Sequence, residues 1–138
     1  MGAWGFGVFD NDDSCDFVME LSEKENIAEA LSDIFKSVID EKKFIEQDLC
    51  CRAWVGVCIA DQIINGFEYD CPDIEYDDII ERAEKDDIKQ LEKSVVDVID
   101  CILSDISELR EVIEDCEDKD YKMWHNSLME IKKRFGVI

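Results

Sequence analysis

The chain is poor in proline, histidine and positive charge: among 138 residues there is one Pro, one His, and fifteen Lys and Arg against thirty-six Asp and Glu. No apolar stretch reaches the roughly 18 residues of a membrane span, and the start lacks the basic region and cleavage pattern of a secretory signal. A cytoplasmic protein that does not enter a membrane is the expectation. Gly2 follows the initiator Met, but Phe6 stands where a myristoylation signal prefers Ser or Thr, which argues against lipidation. There is no low-complexity run and no C-x-x-C pair. The seven cysteines, Cys15, Cys50, Cys51, Cys58, Cys71, Cys101 and Cys116, are an odd set suited neither to a disulfide framework nor to a zinc site. Most lie among apolar residues, where a reduced thiol acts as a small hydrophobe.

The same poverty limits chemistry. His125 has no second histidine and no motif-borne nucleophile to work with, so no catalytic triad can be assembled. Carboxylates are so numerous that a glycosidase-type pair cannot be picked out by inspection. The opening GAWGFG follows no strand, lacks the lysine of a phosphate loop, and sits beside acids that repel phosphate. DNDDSCD puts Asp10, Asp12 and Asp16 at the first, third and seventh places of a calcium loop. Its sixth place holds Cys15 instead of Gly and its twelfth holds Leu21 instead of Glu. The expectation is therefore no catalytic residues, no metal and no cofactor.

What is present is enough apolar material to fold and a large excess of negative charge. Hydrophobic residues make up 46%, too many for a disordered acidic tail, and a chain this long buries about two-thirds of its unfolded surface in one core. The formal net charge is −21. It is concentrated: residues 61–120 hold 22 acids and 6 bases, whereas residues 121–138 hold 1 and 4. Such a chain repels nucleic acid and anionic membrane, and attracts basic partners at low ionic strength.

Periodicity predicts an all-α fold: a single compact domain, spanning 1–138, of about five to seven helices. An irregular glycine- and aromatic-rich lead-in covers residues 1–10, and the main loop covers 66–75. Asn11, Asp12 and Asp13 precede Phe17, Val18 and Leu21, so polar and acidic groups fall on the first amides of a helix. The glycines before them leave Trp4, Phe6, Val8 and Phe9 to fold over the core. Ile27, Ala30, Leu31, Ile34, Phe35, Val38 and Ile39 follow the i, i+3, i+4, i+7 pattern behind Asn26 as cap. Leu49 to Ile64 is apolar almost all round and stops at Gly66, as a central helix does. A strand over Trp54–Ile59 is the alternative that its β-branched residues allow.

Asp73 is placed to cap a short helix through Ile79, Ile80 and Ala83. Asp87 to Ile106 reads as one amphipathic helix, and Ser107 starts another that runs to about Cys116. Tyr121, Trp124, Leu128, Ile131 and Phe135 line a last helix whose Lys132, Lys133 and Arg134 complement its dipole.

The stretch MGAWGFGVFDNDDSCDFVMEL resembles a family of small bacterial proteins known as domain of unknown function 4259. Its members open Met-Gly-x-Trp-Gly-x-Gly-x-Phe-(Asp/Glu)-Asn-Asp-Asp-Ala. Gly2, Trp4, Gly5, Gly7, Phe9, Asp10, Asn11, Asp12, Asp13, Asp16 and Phe17 match, and Ser14 replaces the small apolar residue. CRAWVGVCIADQIING is similar to the family's alanine-rich central helix, from which Gly56 and Trp54 depart, and the segment from Asp105 to Ile131 is similar to its closing one. The resemblance implies a small helical protein without assigned catalytic residues. By analogy with small acidic immunity proteins, it also suggests neutralisation of a toxin delivered between competing bacteria.

Residues and resemblance together point to a non-enzymatic binding protein, expected as a monomer, whose partner is a basic protein such as a toxin nuclease domain. The expected contact is the acidic loop: Tyr69 and Tyr76 are its anchors, and Glu68, Asp70, Asp73, Glu75, Asp77 and Asp78 supply the complementary field. Glu114, Asp115, Glu117, Asp118 and Asp120 form the second choice. Two alternatives carry different expectations. An enzyme or small-ligand-binding protein requires a concave polar pocket, and an acidic nucleic-acid mimic shares the electrostatics but meets a DNA-binding protein.

Overall fold

Asn11 caps the first helix among the described residues. Its side-chain oxygen accepts a hydrogen bond from the Ser14 amide at 2.8 Å, and Asp12 and Asp13 occupy the first turn of α1 (Asp12–Ser22). Asn26 repeats the device for α2 (Ile27–Ile39) by accepting from the Glu29 amide at 3.0 Å. Each cap satisfies a donor that the helix cannot satisfy itself. A computed structural model of the chain describes residues 7–9, 11–71 and 73–136. The roles assigned from sequence to Trp4, Phe6 and Asp10 lie outside the described residues, as does most of the irregular lead-in expected over 1–10.

The centre is α3 (Gln47–Asn65), buried without interruption from Ala53 to Asp61. A helix apolar on all sides must be surrounded, and α3 packs against all seven other helices. The strand alternative for Trp54–Ile59 is thereby overturned: nineteen residues of continuous helix bury every face, which a half-covered strand cannot do. Gly66 ends α3 at φ 75°, the left-handed conformation that glycine adopts without penalty. Gly56 has a different use. A Cβ there would lie 2.8 Å from Cε1 of the buried Phe35, so the missing side chain sets how closely α2 approaches α3.

The remaining helices are α4 (Ile74–Arg82), α5 (Lys85–Lys89), α6 (Glu92–Ile102), α7 (Glu108–Glu114) and α8 (Asp118–Arg134). The fold is all-α and forms one compact domain, with eight helices among the described residues against the five to seven expected. The extra one comes from the segment read as a single helix over Asp87–Ile106. The chain breaks at Gln90 and Leu91, and Leu91 leaves helical geometry at φ −94°, ψ 3°. Apolar spacing could not show the break, because Ile88 and Val95 both turn toward the core and the stripe runs through it. The helix also stops at Ile102, short of Ile106. Ile106 instead gives its carbonyl to the Ile45 amide at 2.8 Å, beside an isolated parallel bridge between Ile45 and Ser107.

Contacts distant in sequence fasten the termini of several helices. Glu108 accepts from the Gln47 amide at 2.7 Å, supplying the cap that Glu46 does not provide for α3. Arg82 of α4 donates to the carbonyls of Ser22 and Lys24 at 2.7 and 2.9 Å and so closes the end of α1. Phe9 lies in the core and meets Tyr76 edge to face at 5.2 Å, so this residue of the lead-in packs on the interior as expected. No helix among the described residues is long and apolar enough to cross a membrane.

Candidate functional site

Asp61 is the one acid inside the apolar run of α3, and it is fully buried. Burial of a carboxylate is tolerable only when its lone pairs are met. Arg134, from the last turn of α8, donates from Nε at 3.0 Å and from Nη2 at 2.6 Å, in a fork that matches the carboxylate. The Tyr69 hydroxyl donates at 2.6 Å and the Asn65 amide at 2.9 Å. The guanidinium also lies over the Phe67 ring, 3.9 Å from its centroid. Asp61 holds the Arg134 guanidinium firmly in its charged form, raising its pKa further. One step along α3, Gln62 accepts from the Tyr69 amide at 3.2 Å and from the Tyr76 hydroxyl at 2.8 Å. The loop after α3 is therefore bound back onto the helix it leaves.

This network closes one end of a groove of about 650 Å³. Asp120, Trp124, Ser127, Ile131 and Arg134 recur at alternating steps of four and three, which places them on one face of α8 as a wall, with Met123 and Glu130 beside them. Trp54 and Cys58 of α3 line the opposite side, with Phe67 and Tyr69 of the loop and Gly7 and Val8 of the lead-in. The Trp124 indole Nε1–H is buried and has no hydrogen-bond partner among the described residues. The groove is concave but mainly apolar, whereas the enzyme alternative asked for a polar one.

The groups at its closed end, and the thiols of the interior, are poorly suited to proton transfer or nucleophilic attack at neutral pH. Asp61 is occupied by donors on both oxygens. The Cys58 thiol is driven upward, first by complete burial and then by Asp61. Tyr69 is likewise pushed up by burial, with Cys58 and Asp61 adding to the effect. Burial takes Cys51 to about 12, and it takes Cys15, next to Asp73, to about 11. Thiols so shifted stay protonated and inert. His125 lies half-buried beside Tyr121, away from the groove lining.

The acidic loop expected from sequence is only partly an accessible loop. Tyr76 must be withdrawn as an anchor: it is 1% exposed, packed on Phe9 and bonded to Gln62. Tyr69 is half-buried and committed to Asp61, so neither tyrosine projects outward. The loop itself ends at Asp73, because Ile74 begins α4; Glu75, Tyr76, Asp77 and Asp78 are helical. Asp73 takes the cap position but makes no side-chain cap bond, and its Oδ2 is buried without a partner among the described residues. Glu75 is half-buried, while Glu68, Asp70, Asp77 and Asp78 are exposed.

On α4 the exposed residues Ile74, Asp77, Asp78 and Glu81 form a single stripe opposite Tyr76 and Ile79. Ile74 is 79% exposed, an apolar side chain among carboxylates that periodicity had assigned no role.

The second-choice run divides as well. Glu114 pairs with Arg110, and Glu117 lies 3.5 Å from Lys119, while Asp115 and Asp118 are exposed and enter no ion pair among the described residues. Asp120 faces the groove. That groove therefore joins one residue of each expected site, Tyr69 and Asp120. Sequence reasoning missed Asp61, although a lone acid in an apolar helix was the available signal. It also read Lys132 and Arg134 only as dipole partners. Lys132 bonds Asp100 of α6 at 2.7 Å and Arg134 bonds Asp61, so both also tie helices together.

No curated protein and no solved structure matches the chain significantly. A family model, described as "Domain of unknown function (DUF4259)", matches residues 2–127, and the chain belongs to that family.

Proposed function

We propose that the protein is an immunity-type binding protein that neutralises a basic toxin, a nuclease delivered by a competing bacterium in contact-dependent inhibition. In this reading it acts by laying an acidic face over the toxin's cationic groove, without catalysis of its own. The carrying observation is the solvent stripe of α4, where Ile74 stands among Asp77, Asp78 and Glu81. Glu84, Asp86 and Asp87 continue the exposed acids around α5. Residues 68–87 hold ten acids against two bases, and one of those bases, Arg82, is committed to Asp78 and to the carbonyls ending α1.

A groove that evolved to hold a polyanion attracts such a face, and long-range attraction accelerates the encounter. Ile74, 79% exposed, takes the anchoring role first given to the tyrosines. The saturated Asp61 and the protonated thiols support a binding role over a catalytic one. A DNA-binding protein in place of the toxin is the same electrostatic reading with another partner.

The test is co-expression with the neighbouring gene. That gene alone is expected to arrest growth, the intact protein to restore it, and the D77N/D78N/E81Q variant to restore it poorly. A harmless neighbour, or toxicity that this protein leaves unchanged, contradicts the toxin reading.

A further inference from the structure

We infer that the groove between α3, α8 and the loop at 66–71 binds an elongated organic cation, amino groups joined by an apolar stem, as in a linear polyamine. This site is separate from the α4–α5 face and does not depend on the toxin reading. The floor and mouth supply ring and apolar surface: Trp54, Trp124, Phe67, Tyr69 and Met123 all line it, and Met123 is 70% exposed. Ring faces attract ammonium groups and cover methylene stems.

The charges decide the sign of the ligand. Arg134 is the one cation among the described lining residues, and the buried Asp61 already holds it at 2.6 Å. Asp120 and Glu130 enter no ion pair among the described residues, so they are the uncompensated charges of the wall. At 1.5 Å of rise per residue their backbones stand about 15 Å apart along α8, with Trp124 and Ser127 between them. An anion meets repulsion there, and a compact monovalent cation reaches one carboxylate only. A flexible dication reaches both while its stem lies on the rings. The volume of about 650 Å³ lies in the range of small-molecule sites and more than accommodates such a ligand.

The experiment titrates the full chain at about 150 mM salt with spermidine, 1,8-diaminooctane, octylamine and the neutral 1,8-octanediol, reading tryptophan fluorescence and heat. Saturable one-site binding is expected for the two polyamines, with octylamine weaker by about tenfold and the diol weaker still. D120N and E130Q are each expected to weaken the diamine by about fivefold, while D86N/D87N on the remote face leaves it unchanged.

Three results overturn the inference: no saturable signal, a diol that binds as tightly as the diamine, or an equal loss in D86N/D87N. The last means that the cations merely join the counterion atmosphere of an acidic protein. Growth rescue by the α4 variants is scored separately, so either idea can fail alone.

Discussion

Asp61 and Asp77 are both helical aspartates, yet the molecule treats them in opposite ways. Asp61 is sealed in α3 and met by Arg134, Tyr69 and Asn65. Asp77 is exposed on α4 and enters no ion pair among the described residues. The first is part of what holds α3, α8 and the following loop together. The second adds nothing comparable to the fold, and with its neighbours it adds repulsion that a compact state must tolerate. Acids of the first kind report on architecture, and those of the second kind are the ones the proposed function gives to a partner. The proposed function rests on this division.

The sharpest way to break the comparison is to remove the buried acid. Asp61→Ala leaves the Arg134 guanidinium partly buried without its partner and is expected to cost about 3–5 kcal/mol in urea unfolding. A loss near zero would place Asp61 with the surface acids and dissolve the contrast.

A pH titration addresses the interior more broadly. The folded chain raises Cys51 from 9.0 to about 12 and Cys15 to about 11, and burial shifts Cys50, Cys58, Tyr69 and Tyr76 in the same direction. The unfolded chain then loses these protons first. Stability that is fully present below pH 9 therefore falls as the pH climbs toward 12. A urea midpoint that stays flat across that window contradicts the buried, protonated assignment.

Gly56→Ala comes next. The gain in helix propensity, about 1 kcal/mol, opposes an overpacking cost of about 1–3 kcal/mol against Phe35. Thermal unfolding should show a net loss of about 1 kcal/mol, and a stabilised variant would mean that α2 yields freely. Smallest is the surface set. D77N, D78N and E81Q are each expected to stay within about 0.5 kcal/mol of the parent. A larger loss would make α4's stripe structural after all.

Much of the fold was legible because local rules and tertiary demand agreed. Asn11, Asn26 and Ser107 cap the helices they were expected to cap, and Gly66 ends the central helix. The break at Gln90 and Leu91 was hidden because one apolar stripe serves two helices facing the same core. The site was less legible for a related reason. Tyr76 looked like an exposed anchor among carboxylates, but helical spacing with Ile79 turns it inward once Ile74 begins α4. The bond between Asp61 and Arg134 spans 73 residues, and no local pattern announces a partner at that distance. Nothing local explains Gly56 in the middle of a buried helix, and only the packed ring of Phe35 gives the reason.

The most direct test of the account is the association rate with the co-expressed partner as salt rises from about 50 to about 500 mM. An acidic face that recruits a cationic protein predicts a fall of at least about tenfold, and a shallower slope for D77N/D78N/E81Q. A rate indifferent to salt, or a partner without basic character, would contradict it.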